Sequence, residues 1–306
     1  MRRKPLPALA PAGGYRPAYR DGTTMRPPIP NDELTGFQDR YDAARMRATL
    51  SSRIFGRVLE YCERVGSTND VILDLAEQSA PHGTVCLADE QSAGRGRRGY
   101  GWFSPPGCGI WVSVLLRPRL PTAWTPPLTL CAAAAVAPVL EAAAGVSVEI
   151  KWPNDLLMGG RKVAGILAES RVVSGDAPVI VIGMGINVNH TRELFPDELS
   201  TSATSLRIES GRPVGREELF LDILASLESA YGHYLASGPA SLLTEVDARL
   251  AWRGLTIEAD SPVGAIGRVS RIDDEGGLVL DRQDGDPLVI RSGSIRLHRL
   301  GNHARP

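Results

Sequence analysis

Lysine is nearly missing from this 306-residue chain. Of 34 basic side chains only three are lysine, Lys4, Lys151 and Lys162; the rest are arginine. A compact ammonium and a planar guanidinium are not interchangeable. A chain that avoids lysine elsewhere, yet places two within one short stretch, marks that stretch as needing a small point charge. A charge excess is missing too. The formal net charge is -1, so no global basic field draws the chain to nucleic acid or a membrane, and neither is expected as a partner. The four cysteines, Cys62, Cys86, Cys108 and Cys131, have no metal-type spacing and read as reduced thiols of a cytoplasmic protein. No apolar run reaches membrane-spanning length, since the Ala-rich segment Cys131–Ala144 is broken by Pro138 and carries Glu141. No unbroken apolar core follows Arg2, Arg3 and Lys4, so no signal peptide is expected. The Walker A pattern, a Rossmann fingerprint and internal repeats are all lacking. What remains, at 43% hydrophobic and 23% charged, is an ordinary globular composition with length for one large domain and one small one.

The first 30 or so residues are rich in Pro, Arg and Gly and show no periodicity, so they read as a disordered tail, with Met25 and Met46 as alternative starts. Asp39–Leu50 reads as one short helix, too little for a helix-turn-helix module. Strands are expected over Arg57–Arg64, Thr84–Gln91, Gly109–Arg117 and Val148–Trp152, and over Lys162–Val173 and Val179–Val188, joined by a tight turn at Ser174–Pro178. Helices are expected from Ser67 or Thr68, either a natural N-cap, and over Leu128–Ala144, Arg216–Leu235 and Pro239–Leu250. From Trp252 the pattern changes to short strands at regular spacing with Gly and Asp turns, the signature of a small β-barrel of SH3-like size. The domains are therefore residues 1–50 (tail and helix), 51–251 (catalytic) and 252–301 (barrel).

Two stretches carry chemistry. In Gln91-Ser-Ala-Gly-Arg-Gly-Arg-Arg-Gly-Tyr-Gly-Trp-Phe103, four glycines alternate with arginines. Glycine lets the backbone come close to a ligand, and arginine supplies forked donors for carboxylate and phosphate. Alone, the loop fits an anion cradle and a basic RGG-type nucleic-acid segment equally well. The second stretch is Lys151-Trp-Pro-Asn-Asp155 with Gly160-Arg-Lys162. Here Pro153 ends a strand, Asn154 and Asp155 follow the turn, Gly159-Gly160 makes a hairpin and Lys162 opens the next strand. Positioned cations beside an aspartate suit charge development at a phosphate. Gly66-Ser67-Thr68-Asn69 sets small polar groups at a helix start, which cap the helix or bind a neutral polar ligand. Gly183–Asn189 ends a strand on Asn187 and Asn189, which read either as a strand-end turn or as contacts for a purine edge or ribose.

These motifs, in this order and joined by Phe195–Leu199 and Ala203–Leu206, resemble the bacterial biotin–protein ligases from about Arg57 to Leu300. The resemblance implies an α+β fold: a mixed-sheet catalytic domain of the biotin/lipoate ligase type, with a small C-terminal SH3-like β-barrel. It implies that biotin's carboxylate attacks the α-phosphate of ATP, with Mg2+ as counter-ion, to give biotinyl-5′-AMP. A lysine of the biotin carboxyl carrier protein of acetyl-CoA carboxylase then attacks the anhydride. By resemblance Ser67, Thr68, Asn69 and Gln91 contact the biotin head group. Arg95, Gly96 and Arg97 close over the carboxylate and phosphate, and Arg97 and Lys162 are catalytic, Lys162 also touching biotin. Lys151, Asn154, Asp155 and Asn187 attend ATP, and no metal ligands are assigned. Family members often have arginine where this chain has Tyr100. Bifunctional members carry a winged helix-turn-helix before the catalytic domain, and the tail here implies the monofunctional type. The competing readings are a lipoate–protein ligase or octanoyltransferase, which the polar Ser-Thr-Asn helix start disfavours, and a biotin-responsive transcriptional regulator, which needs a DNA-binding module. A homodimer is compatible with the sequence but not demanded by it.

Overall fold

Gly109–Leu116 is apolar along its whole length and buried throughout. A strand buried on both faces needs a cover on each. The computed structural model describes residues 39–118, 120, 125–172, 178–261, 264–283 and 285–298. In chain order its first elements are helix α1 (Ala43–Thr49), strand β1 (Leu59–Val65), helix α2 (Thr68–Glu77) and strands β2 (Val85–Gln91) and β3 (Gly109–Leu116). Helix α3 (Leu128–Ala144) follows, then β4 (Glu149–Lys151), β5 (Asp155–Met158), β6 (Arg161–Arg171) and β7 (Val179–Asn187). The seven strands form one sheet in the order β1-β2-β3-β7-β6-β5-β4. β1 and β2 run parallel, with α2 as the crossover, and β2-β3, β3-β7, β7-β6, β6-β5 and β5-β4 pair antiparallel.

Successive strand residues point to opposite faces. On one face Ile110, Val112, Val114 and Leu116 join Ile180, Ile182, Met184 and Ile186 in the main core, beneath the alanines of α3. Alanines there let the helix lie close to the sheet, and Pro138 is tolerated inside it. Helices α4 (Leu206–Ser210), α5 (Arg216–Ser237) and α6 (Ala240–Ala248) complete the α-helices of the catalytic part, and α5 and α6 pack on α3. On the other face Leu115, Val179 and Val181 pack under Ile72, Leu73 and Ala76 of α2. Further along that face the register sets Ser113 beside Gly183 and Gly165 beside Gly185. Three of those four positions have no side chain, and the sheet is left with a shallow floor.

The remaining strands, β8 (Thr256–Ala259), β9 (Ala265–Ile272), β10 (Leu278–Asp281), β11 (Leu288–Ile290) and β12 (Ile295–Leu297), form a separate five-stranded antiparallel sheet. This is the small C-terminal barrel of the expected fold. It is not independent of the rest, because Ile257, Val269, Leu278 and Leu280 belong to the same apolar cluster as the main sheet. Trp152 Nε1 donates to Gly276 O at 3.0 Å across the junction.

The elements fall close to their expected places, with three differences. The Lys151–Asp155 turn contains a cis Trp152–Pro153 peptide, and Asp155 opens β5, a strand too short to show periodicity. Residues 39–50 are not a separate unit, since Tyr41 and Met46 are buried in the catalytic core. The tail ahead of residue 39 and most of the expected Ser174–Pro178 turn lie outside the described residues.

Candidate functional site

The glycine floor is roofed by the Arg-Gly loop, and a cleft of about 220 Å³ lies between them. A Cβ on Gly183 would lie 2.2 Å from Asn69 Oδ1, and one on Gly185 would lie 2.3 Å from the Trp102 indole. Only glycine lets the Asn69 amide and the Trp102 ring lie on the strands there.

Polar groups at the start of α2 are fixed to this floor. Gln91 Oε1 accepts from Thr68 N at 2.9 Å and Thr68 Oγ1 at 3.1 Å, and Gln91 Nε2 donates to Ser104 Oγ at 3.1 Å. Ser113 Oγ, at the centre of β3, lies 2.7 Å from Thr68 Oγ1 and 2.6 Å from Asn69 Oδ1. The Asn69 amide donates to Glu169 on β6. Ser67 stands at the N-cap position but makes no side-chain capping bond, so the expected cap is absent. Ser67, Thr68 and Asn69 are all buried and line the cleft. An unpaired buried polar group costs about 1–3 kcal/mol, so this network fixes which atoms face a ligand before it arrives.

The loop is folded over the cleft by its own backbone. Trp102 N donates to Gly94 O at 2.8 Å and Gly96 N to Tyr100 O at 2.7 Å. A Cβ on Gly94 would lie 2.7 Å from Ser104 Oγ, so the close approach there demands glycine. The three arginines have three different anchors. Arg95 forks onto both oxygens of Asp70, at 2.6 Å each, and reaches Glu169 at 3.5 Å. The Asp70 bond holds its guanidinium above its ordinary pKa. Arg97 donates to Gly293 O of the barrel at 2.9 Å. Its half-buried guanidinium is shifted down, first by burial and then by neighbouring Arg98. Arg98 pairs with Asp260, also of the barrel. Arg95 and Arg97, expected to close over the carboxylate and the phosphate, meet different partners here. Both line the cleft, but the fork of Arg95 is engaged by Asp70.

Lys162 enters from β6. Its Nζ lies 2.6 Å from Asp155 Oδ1 and 4.9 Å from the centre of the Trp102 ring. Arg97, Asp155 and Lys162 line one cleft, together with Gln91, Asn154 and Gly96. Asn154 is tied to β6, its Nδ2 donating to Ile166 O at 2.9 Å. Lys151 is not among the lining residues. Its Nζ sits 3.8 Å from Asp155 Oδ2 and 4.8 Å from the centre of the Trp252 ring. Burial lowers its pKa against the pull of Asp155.

Asn187, expected to attend ATP, lies outside the lining of this cleft. Its amide donates to Thr204 O at 3.0 Å and reaches Lys162 O at 3.5 Å. Thr204 N in turn donates to Lys162 O at 2.9 Å, so Asn187 braces the backbone that carries Lys162. Asn189 takes the turn role: its amide bonds both backbone groups of Val214 and also reaches Asp39. Sequence reasoning missed Asp70, Ser104, Ser113 and Glu169. Ser113 alone carried a signal, as the single polar residue in an otherwise apolar strand.

The model described as the biotin/lipoate A/B protein ligase family matches residues 61–187. The chain is 42% identical over 245 residues to the bifunctional ligase/repressor BirA of Bacillus spizizenii, covering 79% of this chain and 75% of that one. It is 36% identical over 231 residues to the biotin–[acetyl-CoA-carboxylase] ligase of Paracoccus denitrificans, covering 74% of this chain and 95% of that one. In three dimensions it is similar to the biotin protein ligase from Aquifex aeolicus in complex with biotin and ATP. That similarity has a TM-score of 0.70 and 27% identity, covering 79% of this chain and 99% of that chain.

Proposed function

We infer what the cleft does from kinship: the chain belongs to the biotin–protein ligase family. It is an ATP-dependent ligase that activates biotin as biotinyl-5′-AMP and transfers the biotinyl group to a lysine of a biotin carboxyl carrier protein, that of acetyl-CoA carboxylase. The observation that carries this reading is one cleft lined both by neutral polar groups, Thr68, Asn69 and Gln91, and by the cations Arg97 and Lys162.

The fixed amides and hydroxyls suit a ureido ring, which is neutral and rich in donors and acceptors, better than a plain acyl chain. Ser67, whose hydroxyl is not occupied by capping, joins them. The biotin carboxylate oxygen then attacks the α-phosphorus, and the bond to the pyrophosphate oxygen breaks. Lys162 and Arg97 stabilise the charge that develops on the phosphoryl oxygens. A positioned contact of this kind contributes roughly 10²–10³ in rate. In the second step the carrier amine attacks the acyl carbon and AMP leaves. Arg95 and Gly96 hold the loop closed, so that water does not consume the anhydride. Lys151 and Asn154 act one step back, by orienting Asp155 and β6.

Mg2+ is held elsewhere by one or two carboxylates plus substrate phosphates rather than by a protein cage. The residues here fit that mode. Asp155 is the one carboxylate among the cleft-lining residues. Among the described residues no group of three or more His, Cys, Asp or Glu could hold a metal. Asp155 would hold the ion, which would neutralise charge on the phosphates.

The cytoplasm fits four free cysteines. The reading as an enzyme without a repressor role is supported by the match to the biotin–[acetyl-CoA-carboxylase] ligase of Paracoccus denitrificans over 95% of that protein. Incubation with Mg-ATP and a carrier domain, with biotin or lipoate, tests the function: streptavidin-reactive carrier is expected with biotin alone. A carrier modified only by lipoate would refute it. A specific gel shift on a biotin-operon fragment would overturn the enzyme-only reading.

A further inference from the structure

Ser113 is fully buried in the middle of β3 and is not one of the residues that line the cleft; it stands beneath two that do, Thr68 and Asn69. Its Oγ meets two oxygens, Asn69 Oδ1 at 2.6 Å and Thr68 Oγ1 at 2.7 Å. A hydroxyl carries one proton, so the two contacts cannot be alike. The Asn69 amide is oriented by Glu169: its Nδ2 donates to that carboxylate, which turns Oδ1, a pure acceptor, toward Ser113. Ser113 therefore commits its proton to Asn69. The 2.7 Å contact then needs a proton from the other side, and Thr68 supplies it. The other acceptor within reach of Thr68 Oγ1 is Gln91 Oε1, which is farther, at 3.1 Å, and already accepts from Thr68 N at 2.9 Å. Were the Thr68 proton to turn there, two hydroxyl oxygens would meet at 2.7 Å with no proton between them. Gly183 faces Ser113 across β3 and β7, and it gives the Asn69 oxygen its place, since a Cβ there would lie 2.2 Å from it. The groups sit on α2 and on β2, β3, β6 and β7, so their arrangement does not depend on where the Arg-Gly loop lies.

We propose that Ser113 is a positioning residue that sets ligand specificity: by accepting the Thr68 proton it keeps the Thr68 hydroxyl an acceptor toward the cleft, where it reads an N–H of the ligand. With its proton held by Ser113, Thr68 Oγ1 has only lone pairs to offer, so a ligand group beside it must be a donor. A ureido ring has N–H groups to give. A carbamate ring with oxygen in that place sets lone pair against lone pair. Burial makes such a mismatch costly, because neither group can turn to water. The inference rests on the ligase reading for the identity of the ligand alone; the order of protons from Thr68 to Ser113 to Asn69 belongs to the free protein.

The test uses the full-length protein, with and without ligand. Binding is measured for biotin and for its two carbamate analogues, in each of which oxygen replaces one ring N–H. The wild type is expected to prefer biotin over one analogue by roughly 10³-fold or more. Ser113→Ala frees the Thr68 proton to turn toward the cleft, so that preference should fall by about tenfold or more. KM for biotin should rise, while kcat and KM for ATP stay unchanged; a merely structural loss would move all three. Without ligand, Ser113→Ala and Thr68→Val should each lower the urea midpoint. The double variant should lose less than the two losses added, because each single variant leaves the other hydroxyl without its partner. An unchanged preference in Ser113→Ala would mean that Gln91 alone orients Thr68, and additive midpoint losses would mean that the two hydroxyls are not linked; either result overturns the proposal. Non-additive losses in a protein that binds neither biotin nor its analogues would sink the ligase reading and leave the order of protons standing.

Discussion

Lys162 holds a compact charge between two fixed neighbours. Its Nζ lies between Asp155 Oδ1, at 2.6 Å, and the Trp102 ring, and its stem passes so close to β6 that a Cβ on Gly165 would lie 3.1 Å from its Cε. In a chain that otherwise uses arginine, the sequence bias and this confinement have one explanation: the position takes a compact charge. Lys162→Arg should therefore behave like Lys162→Ala, each lowering biotin-dependent pyrophosphate exchange by roughly 10²-fold or more with an unchanged circular dichroism spectrum. An arginine variant within a few-fold of wild type would show that charge alone suffices. A different residue effect belongs to His190, which is fully buried and stacked on Phe195 at 4.8 Å, with both ring nitrogens lacking a hydrogen-bond partner. Burial pushes its pKa down to about 3. The unfolded imidazole takes a proton near pH 6.5, while the folded one stays neutral until far lower pH. Acid thus favours the unfolded chain: stability is fully present above about pH 6.5 and falls as pH drops toward 3. At pH 5 the loss is about 2 kcal/mol. His190→Phe should flatten the urea-midpoint profile between pH 5 and 7, and an unchanged slope would reject the assignment.

At the scale of elements, the site exists because β6 and β7 lack side chains where α2 and the loop need to lie. Gly183→Ala should displace the Asn69 amide, since the new methyl would occupy its Oδ1 position. KM for biotin is expected to rise roughly tenfold with KM for ATP little changed; equal changes in both would place the damage in the sheet rather than in the head-group end. These glycines were not legible as a floor beforehand. A glycine in an apolar strand looks the same whether it weakens packing or makes room, and the neighbours that need the room, Asn69 and Trp102, lie far off in sequence. The Arg-Gly loop and the Lys151–Asp155 turn were legible because consecutive residues there share an unusual chemistry. Asn187 is ambiguous for the converse reason. An asparagine at a strand end offers the same groups to a nucleotide or to a neighbouring backbone, and only the fold shows Thr204 taking them. Ser113 and Glu169 escaped because their partners sit on α2, far off in sequence.

For the whole molecule the question is what makes one body of the segment before β1, the sheet and the helices behind it. The SH3-like sheet could be read from the spacing of short strands, but this tie could not, since its members are scattered over the chain. It centres on Arg216 at the start of α5, which is 1% exposed. Its guanidinium lies 3.1 Å from Asp39 Oδ2 and 2.8 Å from Asp89 Oδ1, and 4.5 Å from the centre of the Tyr41 ring. It also donates to Gly109 O, 3.2 Å away at the first residue of β3. Burial alone would lower its pKa, yet Tyr41, Asp89 and Asp39 hold it above its ordinary value, so it stays a cation. Removing one member of a buried pair leaves the other charge uncompensated, which costs about 3–5 kcal/mol, whereas replacing both with neutral groups of similar size costs far less. Arg216→Met is accordingly expected to lower the urea midpoint strongly. Adding Asp39→Asn to it should recover part of the loss, because Asp89 is 26% exposed and can rehydrate while Asp39, at 9%, cannot. A double variant no more stable than Arg216→Met would mean that the guanidinium acts through its bond to Gly109 and its contact with Tyr41, and that the segment before β1 is held by Met46 and Tyr41 packing instead.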